Sequence, residues 1–161
     1  MTSPVPTDKK TVIVIAFDGS PTARRAVAYA ARFLTADRAV VLTAWTPLNR
    51  GTDPQDYDYD LDGPPDPRDE ELDIALAEAQ RINDEGVELA VAAGLPAEPM
   101  RRAVTFTVWQ AIIEAADELD ADLIVTGTRA TTGFRSLIQS SVADHVLRRG
   151  HRPVLIVPPE P

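Results

Sequence analysis

Residues 11–33 read TVIVIAFDGSPTARRAVAYAARF and contain the strand-to-helix transition that decides the fold. The run Thr11–Phe17 is short, β-branched and continuously apolar, which is typical of a strand buried on both faces of a parallel sheet. After it, Ser20 is a favourable N-cap residue and Pro21 suits the first turn of a helix. Apolar residues then recur at helical spacing as far as Leu34. This segment therefore predicts a strand–turn–helix unit.

The same alternation continues along the chain. Further apolar runs predict four more strands, and apolar residues at helical spacing predict three more helices. The predicted strands are Ala39–Thr46, Ala97–Val104, Asp122–Thr126 and Pro153–Val157, and the predicted helices are Asp69–Ala93, Thr107–Leu119 and Ser141–Arg149. Alternating strands and helices form parallel sheets with helices on both faces. We therefore predict an α/β fold with three layers, α/β/α, around a five-stranded, mainly parallel sheet with four helices.

Two local features refine these elements. Pro99 cannot donate a hydrogen bond to a neighbouring strand, so it places the third strand at an edge of the sheet. Thr107 and Gln110 have the spacing of a capping box, in which the threonine accepts from a backbone N–H and the glutamine side chain reaches back. The sequence therefore predicts an edge strand followed by a helix that is capped twice.

Three segments lie outside the alternating pattern. Residues 1–10 carry prolines and charges and are expected to form a flexible N-terminus, and residues 159–161 form a short tail. Residues 47–67 are rich in Pro, Gly and Asp and have no hydrophobic period, which predicts a long acidic loop insertion. The folded domain is expected to span residues 11–158.

The composition excludes several classes of function. The chain has 161 residues, a formal net charge of −9, no cysteine and two histidines. This charge argues against nucleic acid as a partner, and the absence of cysteine excludes disulfides and thiolate chemistry. The only lysines are Lys9 and Lys10, so a Walker-type loop is absent. No apolar run approaches the roughly 18 residues of a membrane span, so we expect a cytoplasmic protein that does not bind membranes. With no cysteine and two histidines, we also expect no metal site.

The segment GTRATTGFRSLIQSSV, residues 127–142, follows a predicted buried strand and leads into a predicted helix. In a wound parallel sheet, ligands bind in the crevice outside the carboxyl ends of the strands. The first-turn N–H groups of a helix lack intrahelical partners there, and the helix dipole favours negative charge. Arg129 could pair with a phosphate through its guanidinium group. The segment therefore predicts a phosphate site.

The opening stretch VIVIAFDGSPTARRAVAYAARF, the closing stretch ADLIVTGTRATTGFRSLIQSSVADHVLRRGHRPVLIVP and the order of elements between them resemble the universal stress protein family. The resemblance covers nearly the whole chain. It implies a five-stranded sheet with strand order 3-2-1-4-5. It also implies a homodimer formed through the last strand, here Val154, Leu155, Ile156 and Val157. One branch of the family binds ATP, and another does not.

In the ATP-binding branch this loop carries three spaced glycines followed by a serine or threonine. The corresponding residues here are Gly127, Ala130, Ser140 and Ser141, so one glycine and the hydroxyl are kept. Alanine costs about 1 kcal/mol in a left-handed conformation and adds a methyl group. Gly133 offers flexibility three residues later. The loop is therefore a degenerate form of the nucleotide motif.

Asp18 and Trp45 each have two interpretations. If Asp18 matches the acidic residue after the first strand of the family, it would lie beside adenine or ribose; otherwise it supports the turn before Pro21. Trp45 corresponds to a residue whose backbone contacts adenine in the family, but a tryptophan there also fits the core. The sequence leaves these alternatives open.

These observations predict a regulatory rather than catalytic protein that binds an adenine nucleotide, ATP with or without Mg²⁺. The predicted crevice consists of Asp18, Trp45, Gly127, Arg129, Ala130, Gly133, Ser140, Ser141 and Val142. No catalytic set is apparent, because the spacing of Ser141 and His145 is one that helices produce routinely. The alternative is a dimeric stress-response interaction module whose degenerate site binds no nucleotide.

Overall fold

The structure is a computed structural model that describes residues 9–47, 67–128 and 142–161, and the side chains of these residues other than 67–73. In this part of the chain five strands alternate with four helices. The strands are β1 (Val12–Ala16), β2 (Arg38–Trp45), β3 (Ala97–Ala103), β4 (Leu123–Gly127) and β5 (Val154–Val157), and the helices are α1 (Pro21–Phe33), α2 (Pro67–Ala92), α3 (Val108–Glu118) and α4 (Val142–Arg149). The predicted alternation is confirmed.

The five strands form one sheet with the order β3-β2-β1-β4-β5. Every pair of neighbours is parallel, so the sheet is fully rather than mainly parallel. Residues Ile13 and Ile15 of β1 join a core cluster with α1 and α2, whereas Val12 and Val14 join a second cluster with α3 and α4. The sheet is therefore covered by two helices on each face, which gives the three predicted layers.

All four helices bury one side and expose the other. The buried residues of α1, for example, include Ala23, Ala26, Val27 and Ala30, which recur every three or four residues. No helix in the described ranges is long and apolar enough to cross a membrane.

The predicted edge position of β3 is confirmed. Its pairing with β2 begins and ends with two hydrogen bonds. Ala39 N donates to Pro96 O at 3.1 Å, and Val104 N donates to Trp45 O at 2.8 Å. Since backbone groups alternate in direction along a strand, the even-numbered residues of β3 bond to β2 and the odd-numbered ones point away. The nitrogen of Pro99 therefore points toward the open edge, where no donor is required.

The caps of α1 and α3 are only partly as predicted. The Ser20 side chain accepts from Ala23 N at 3.1 Å, and the Thr107 side chain accepts from Gln110 N at 3.2 Å, which confirms both N-caps. The second half of the capping box is wrong, because the Gln110 side chain donates to Glu114 Oε1 at 3.2 Å. The box would need Gln110 Oε1 to accept from Thr107 N, whereas the side chain extends along the helix and its amide N–H donates to a carboxylate, which is a strong acceptor.

Helix α2 is fixed to the sheet by a buried amide and a close approach. The Asn83 side chain is completely buried, and its two amide N–H groups are shared among three acceptors, Val41 O (2.9 Å), Thr43 Oγ1 (2.9 Å) and Met100 O (3.0 Å). One turn later, a Cβ atom on Gly86 would lie 2.6 Å from Phe17 Cδ1, far inside van der Waals contact. The helix can therefore approach β1 and β2 this closely only with glycine at position 86.

At the amino end of β4, Asp122 joins the first strand to the fourth. Its Oδ2 accepts from Val12 N at 2.9 Å, and its Oδ1 accepts from Lys9 Nζ at 3.2 Å. The Val12 N–H, with a smaller contribution from Lys9, holds the pKa of Asp122 below its ordinary value. The ionised carboxylate therefore stabilises the fold.

We expect Gly86→Ala to lower the free energy of unfolding by about 1–3 kcal/mol, because the added methyl group overpacks the core. Phe17→Leu removes part of the ring that the methyl group meets. The double variant should therefore lose less stability than the sum of the two single losses. Urea unfolding measures the free energy of unfolding of the two single variants and of the double variant. Glu88→Ala, on the exposed side of the same helix, is the control and should change stability by less than about 0.5 kcal/mol.

We expect Asp122→Asn to destabilise the protein at neutral pH. The carboxyl group has a pKa of about 3.9 in an unfolded chain and a lower one in the folded protein. Its stabilisation is therefore fully present above the unfolded value and is lost as the pH falls through the folded value. Urea unfolding from pH 7 to about pH 2 should show the wild-type advantage shrinking below about pH 4. A pH-independent difference would contradict the assignment.

Candidate functional site

The chain changes direction at the carboxyl ends of β1 and β4. From β1 the sheet grows through β2 to β3, and from β4 it grows on the other side to β5. A cavity opens at this point between α1 on one face and α3 and α4 on the other. It is lined by Ala16, Phe17, Asp18, Ser20, Thr22, Ala23, Leu42, Ala44, Val108, Ile112, Thr126, Gly127, Thr128 and Val142. This is the position at which wound parallel sheets bind ligands.

The tight turn after β1 places Asp18 at the cavity. Asp18 is exposed, and its Oδ1 accepts from Ser20 N at 2.9 Å. Gly19 between them has φ +78°, a conformation that favours glycine. The turn ends where Pro21 begins α1. Asp18 therefore supports the turn as predicted in one interpretation, while its carboxylate lines the cavity as the other requires.

Gly127 is required by packing. A Cβ atom at this position would lie 2.6 Å from Thr22 Cγ2 and 3.0 Å from the backbone carbon and oxygen of Thr22. Gly127 does not adopt the left-handed conformation, so conformational freedom is not the reason for a glycine here. The first turn of α1 lies directly against the end of β4. The glycine that the sequence associates with phosphate thus has a structural role that the sequence does not indicate.

The cavity combines an apolar surface with several hydroxyl groups. Its apolar part includes Leu42 and Ala44 of β2 and Val108 and Ile112 of α3. The hydroxyl residues are Ser20, Thr22, Thr126 and Thr128. A hydroxyl group can donate and accept, so this set can bind ligand oxygens of either kind. Among the described lining residues, Asp18 is the only charged one.

Sequence reasoning missed the two threonines that flank Gly127. Thr126 is 4% exposed and its Oγ1 donates to Gly127 O at 3.1 Å, and the Thr128 amide donates to Val157 O at 3.0 Å. The triplet Thr-Gly-Thr at the end of an apolar strand is the signal that could have identified them. The family motif specifies the glycine and leaves its neighbours unspecified, so it does not point to these threonines.

The Trp45 side chain is not placed at the cavity, and the contact of its backbone with adenine that the family resemblance implies stays a prediction. Trp45 is half-buried, and its carbonyl accepts from Val104 N. It is absent from the described residues that line the cavity, whereas its neighbour Ala44 is present. Successive side chains of a strand point to opposite faces, so Ala44 and Trp45 cannot serve the same face of the sheet.

Three of the nine predicted site residues are brought together. Asp18, Gly127 and Val142 line the one cavity, with Val142 as the first residue of α4. Arg129, Ala130, Gly133, Ser140 and Ser141 lie outside the described residues.

The two helices beside the cavity are joined by an aromatic contact. The rings of Trp109 on α3 and His145 on α4 stack with centroids 5.1 Å apart and an angle of 20° between their planes. The Arg149 guanidinium lies 5.1 Å from the centroid of the Trp109 ring. Such contacts stabilise helix packing. His145 thus has a packing role on the α3 side of its helix.

The described residues contain no group of three or more His, Cys, Asp or Glu side chains arranged to hold a metal ion. The lining described above offers one carboxylate, hydroxyl groups and backbone groups. These groups can bind a polar organic ligand through hydrogen bonds.

Comparisons with known proteins agree with this geometry. The profile of the universal stress protein family matches residues 11–158. A universal stress protein from Methanocaldococcus jannaschii is 46% identical over 46 residues, which are 29% of this chain and 27% of that protein. The match thus spans about a quarter of the length of this curated relative.

Two solved structures resemble the chain over nearly its whole length. A universal stress protein in complex with cAMP has a TM-score of 0.65 at 26% identity, with 94% of this chain and 98% of that chain covered. A protein of the universal stress protein family from Burkholderia pseudomallei has a TM-score of 0.62 at 26% identity, with 95% of this chain and 99% of that chain covered. With nearly the entire domain matched by the family profile, the chain belongs to the universal stress protein family.

Proposed function

We propose that this chain binds an adenine nucleotide in the cavity between β1 and β4 and acts as a regulatory protein rather than an enzyme. The observation that carries the proposal is the lining: an apolar slot, four hydroxyl residues and a single carboxylate meet at the switch point of the sheet. The similar structure that contains cAMP supports an adenine nucleotide as the ligand class.

The lining favours one orientation of the nucleotide. The apolar surfaces of Leu42, Ala44 and Ile112 fit a planar base. Asp18 would accept hydrogen bonds from ribose hydroxyls and would repel a phosphate. The phosphate would lie toward Gly127 and the start of α4, because a helix N-terminus favours negative charge.

Arg129, Ala130, Gly133, Ser140 and Ser141 would complete the phosphate side, as the sequence motif suggests. A triphosphate would carry Mg²⁺ on its own oxygens, since the described lining offers Asp18 as its only anionic side chain. ATP and shorter adenine nucleotides both meet this description. The proposal of a regulatory role rests on the sequence, in which no catalytic set is apparent.

A homodimer formed through β5 is part of the proposal. Within the described ranges, β5 is an edge strand with β4 as its one neighbour in the sheet. Its four residues are all apolar, and an open edge of this kind is stabilised by pairing with a second copy. Pro153 and Pro158 on either side would confine the pairing to the strand.

Asp18→Asn separates the two roles of this residue. The amide oxygen of asparagine can still accept from Ser20 N, so the turn and the stability should be preserved. The charge that would bind ribose hydroxyls is lost, and the affinity for AMP should fall by about tenfold. Calorimetric titration with AMP measures this change. An unchanged affinity for AMP would contradict the proposed contact with ribose and would show that Asp18 serves only to support the turn.

Ala44→Leu tests whether the cavity is the site. Three added carbon atoms would occupy the apolar slot and should weaken binding of AMP and of ATP with Mg²⁺ by at least about tenfold. Ala103→Leu makes the same change on the exposed part of β3 and should bind like wild type. If wild type itself binds neither nucleotide at millimolar concentration, the proposal fails and the alternative of an interaction module without nucleotide applies.

A further inference from the structure

The two sides of β5 carry different hydrogen-bonding groups. Pro153 O accepts from Ile124 N at 3.0 Å, and Val157 O accepts from Thr128 N at 3.0 Å. With Val125 opposite Leu155 in the register, the odd-numbered residues of β5 direct their backbone groups to β4. The backbone N–H and C=O groups of Val154 and Ile156 therefore point away from β4, toward the open edge of the sheet.

This spacing makes the edge complementary to itself. Two outward residues, Val154 and Ile156, present two N–H and two C=O groups. In an antiparallel pair with a dyad at Leu155, Val154 faces Ile156 of the partner subunit, and each of the two resulting pairs exchanges two hydrogen bonds. All eight outward groups of the two strands are then satisfied. A shift that brings Pro158 opposite a strand residue loses a bond, because proline has no N–H.

The inner side of the same strand is bound to the cavity. Gly127 lies opposite Val157, and the Val157 carbonyl accepts the amide of Thr128, the residue after β4. Gly127 and Thr128 both line the cavity. Val157 is only 1% exposed and packs in the core beneath α1. The end of β5 thus fixes the backbone of Thr128, the residue that follows β4.

We infer that dimerisation through β5 and nucleotide binding are thermodynamically coupled, with the hydrogen bond between Thr128 and Val157 as the physical link. The inference rests on the proposed nucleotide site and dimer. In a monomer, β5 has one neighbouring strand in the described part of the chain, and its outer backbone groups are open to solvent, so opening of this edge costs less than in a dimer even though Val157 is packed in the core. Four inter-subunit hydrogen bonds to Val154 and Ile156 hold the strand and, through Val157, the amide of Thr128.

Coupling of this kind is reciprocal. If the dimer binds AMP about tenfold more tightly than the monomer, each bound AMP must favour the dimer by the same factor. The affinity for AMP should therefore fall when the protein is diluted below its dimer dissociation constant. This measurement uses the wild-type chain and does not depend on the folding of any variant.

Ile156→Pro provides the matching variant. The N–H that it removes points to the open edge, so the bonds between β4 and β5 are kept. The variant should be monomeric, bind AMP about tenfold more weakly, and exchange the Thr128 amide hydrogen with solvent at least about tenfold faster than the wild-type dimer. Ala103→Pro removes an outward N–H from the opposite edge of the sheet, on β3, and should leave all three properties unchanged.

The readouts separate the two ideas. Hydrogen exchange at Thr128 requires no nucleotide, so equal protection in monomer and dimer overturns the coupling whatever AMP does. A wild-type protein that sediments as a monomer at every accessible concentration also overturns it. If AMP binds to neither monomer nor dimer while the protection of the Thr128 amide follows dimerisation, the nucleotide proposal fails. The link between β5 and Thr128 then stands without a nucleotide.

Discussion

The close contact between the first turn of α1 and the end of β4 sets the geometry of the cavity. Thr22 packs onto Gly127 so tightly that no side-chain carbon fits at position 127. This contact holds Ser20 and Thr22 on one wall of the cavity and Gly127 on another. A larger residue at position 127 would push α1 away from the sheet and separate these groups. The packing of the core and the shape of the cavity thus depend on the same pair of residues.

Most of the fold could be predicted from the sequence because its signals are periodic. A strand buried on both faces and a helix with one apolar side leave different spacings, and the structure has each element within about two residues of its predicted bounds. The second half of the capping box was wrong for a local reason: Gln110 has a charged partner, Glu114, one turn away. Spacing alone does not show whether the side chain turns back to the Thr107 N–H or extends forward to the Glu114 carboxylate.

The site was predicted less completely, because its residues come together through packing across the sheet. Trp45 and Ala44 are neighbours in the chain, and only the face that each side chain occupies decides which one reaches the cavity. The threonines on either side of Gly127 carry no periodic signal. Val108 and Ile112 were visible as residues of a helix, but their position opposite β2 depends on the order of the strands. Information of this kind is not contained in any one segment.

The two interpretations of Asp18 are compatible in the structure. One carboxylate oxygen accepts from Ser20 N, which fixes the orientation of the group at the cavity. The turn therefore orients the same group that would bind a ribose, and the entropy of ordering the side chain is lost on folding rather than on binding.

The charge of the chain gives the two ends of the cavity different roles. With a net charge of −9 and Asp18 as the only charged residue of the described lining, the part of the cavity next to β1 repels anions. The proposed nucleotide would therefore place its phosphate on the side of Gly127, Thr128 and the start of α4, where the helix dipole is favourable. This is also the side that the Val157 carbonyl fixes through Thr128. Pairing at the edge of β5 would thus act on the phosphate contacts and leave the base and ribose contacts, which are built on β1, β2 and α3, unchanged.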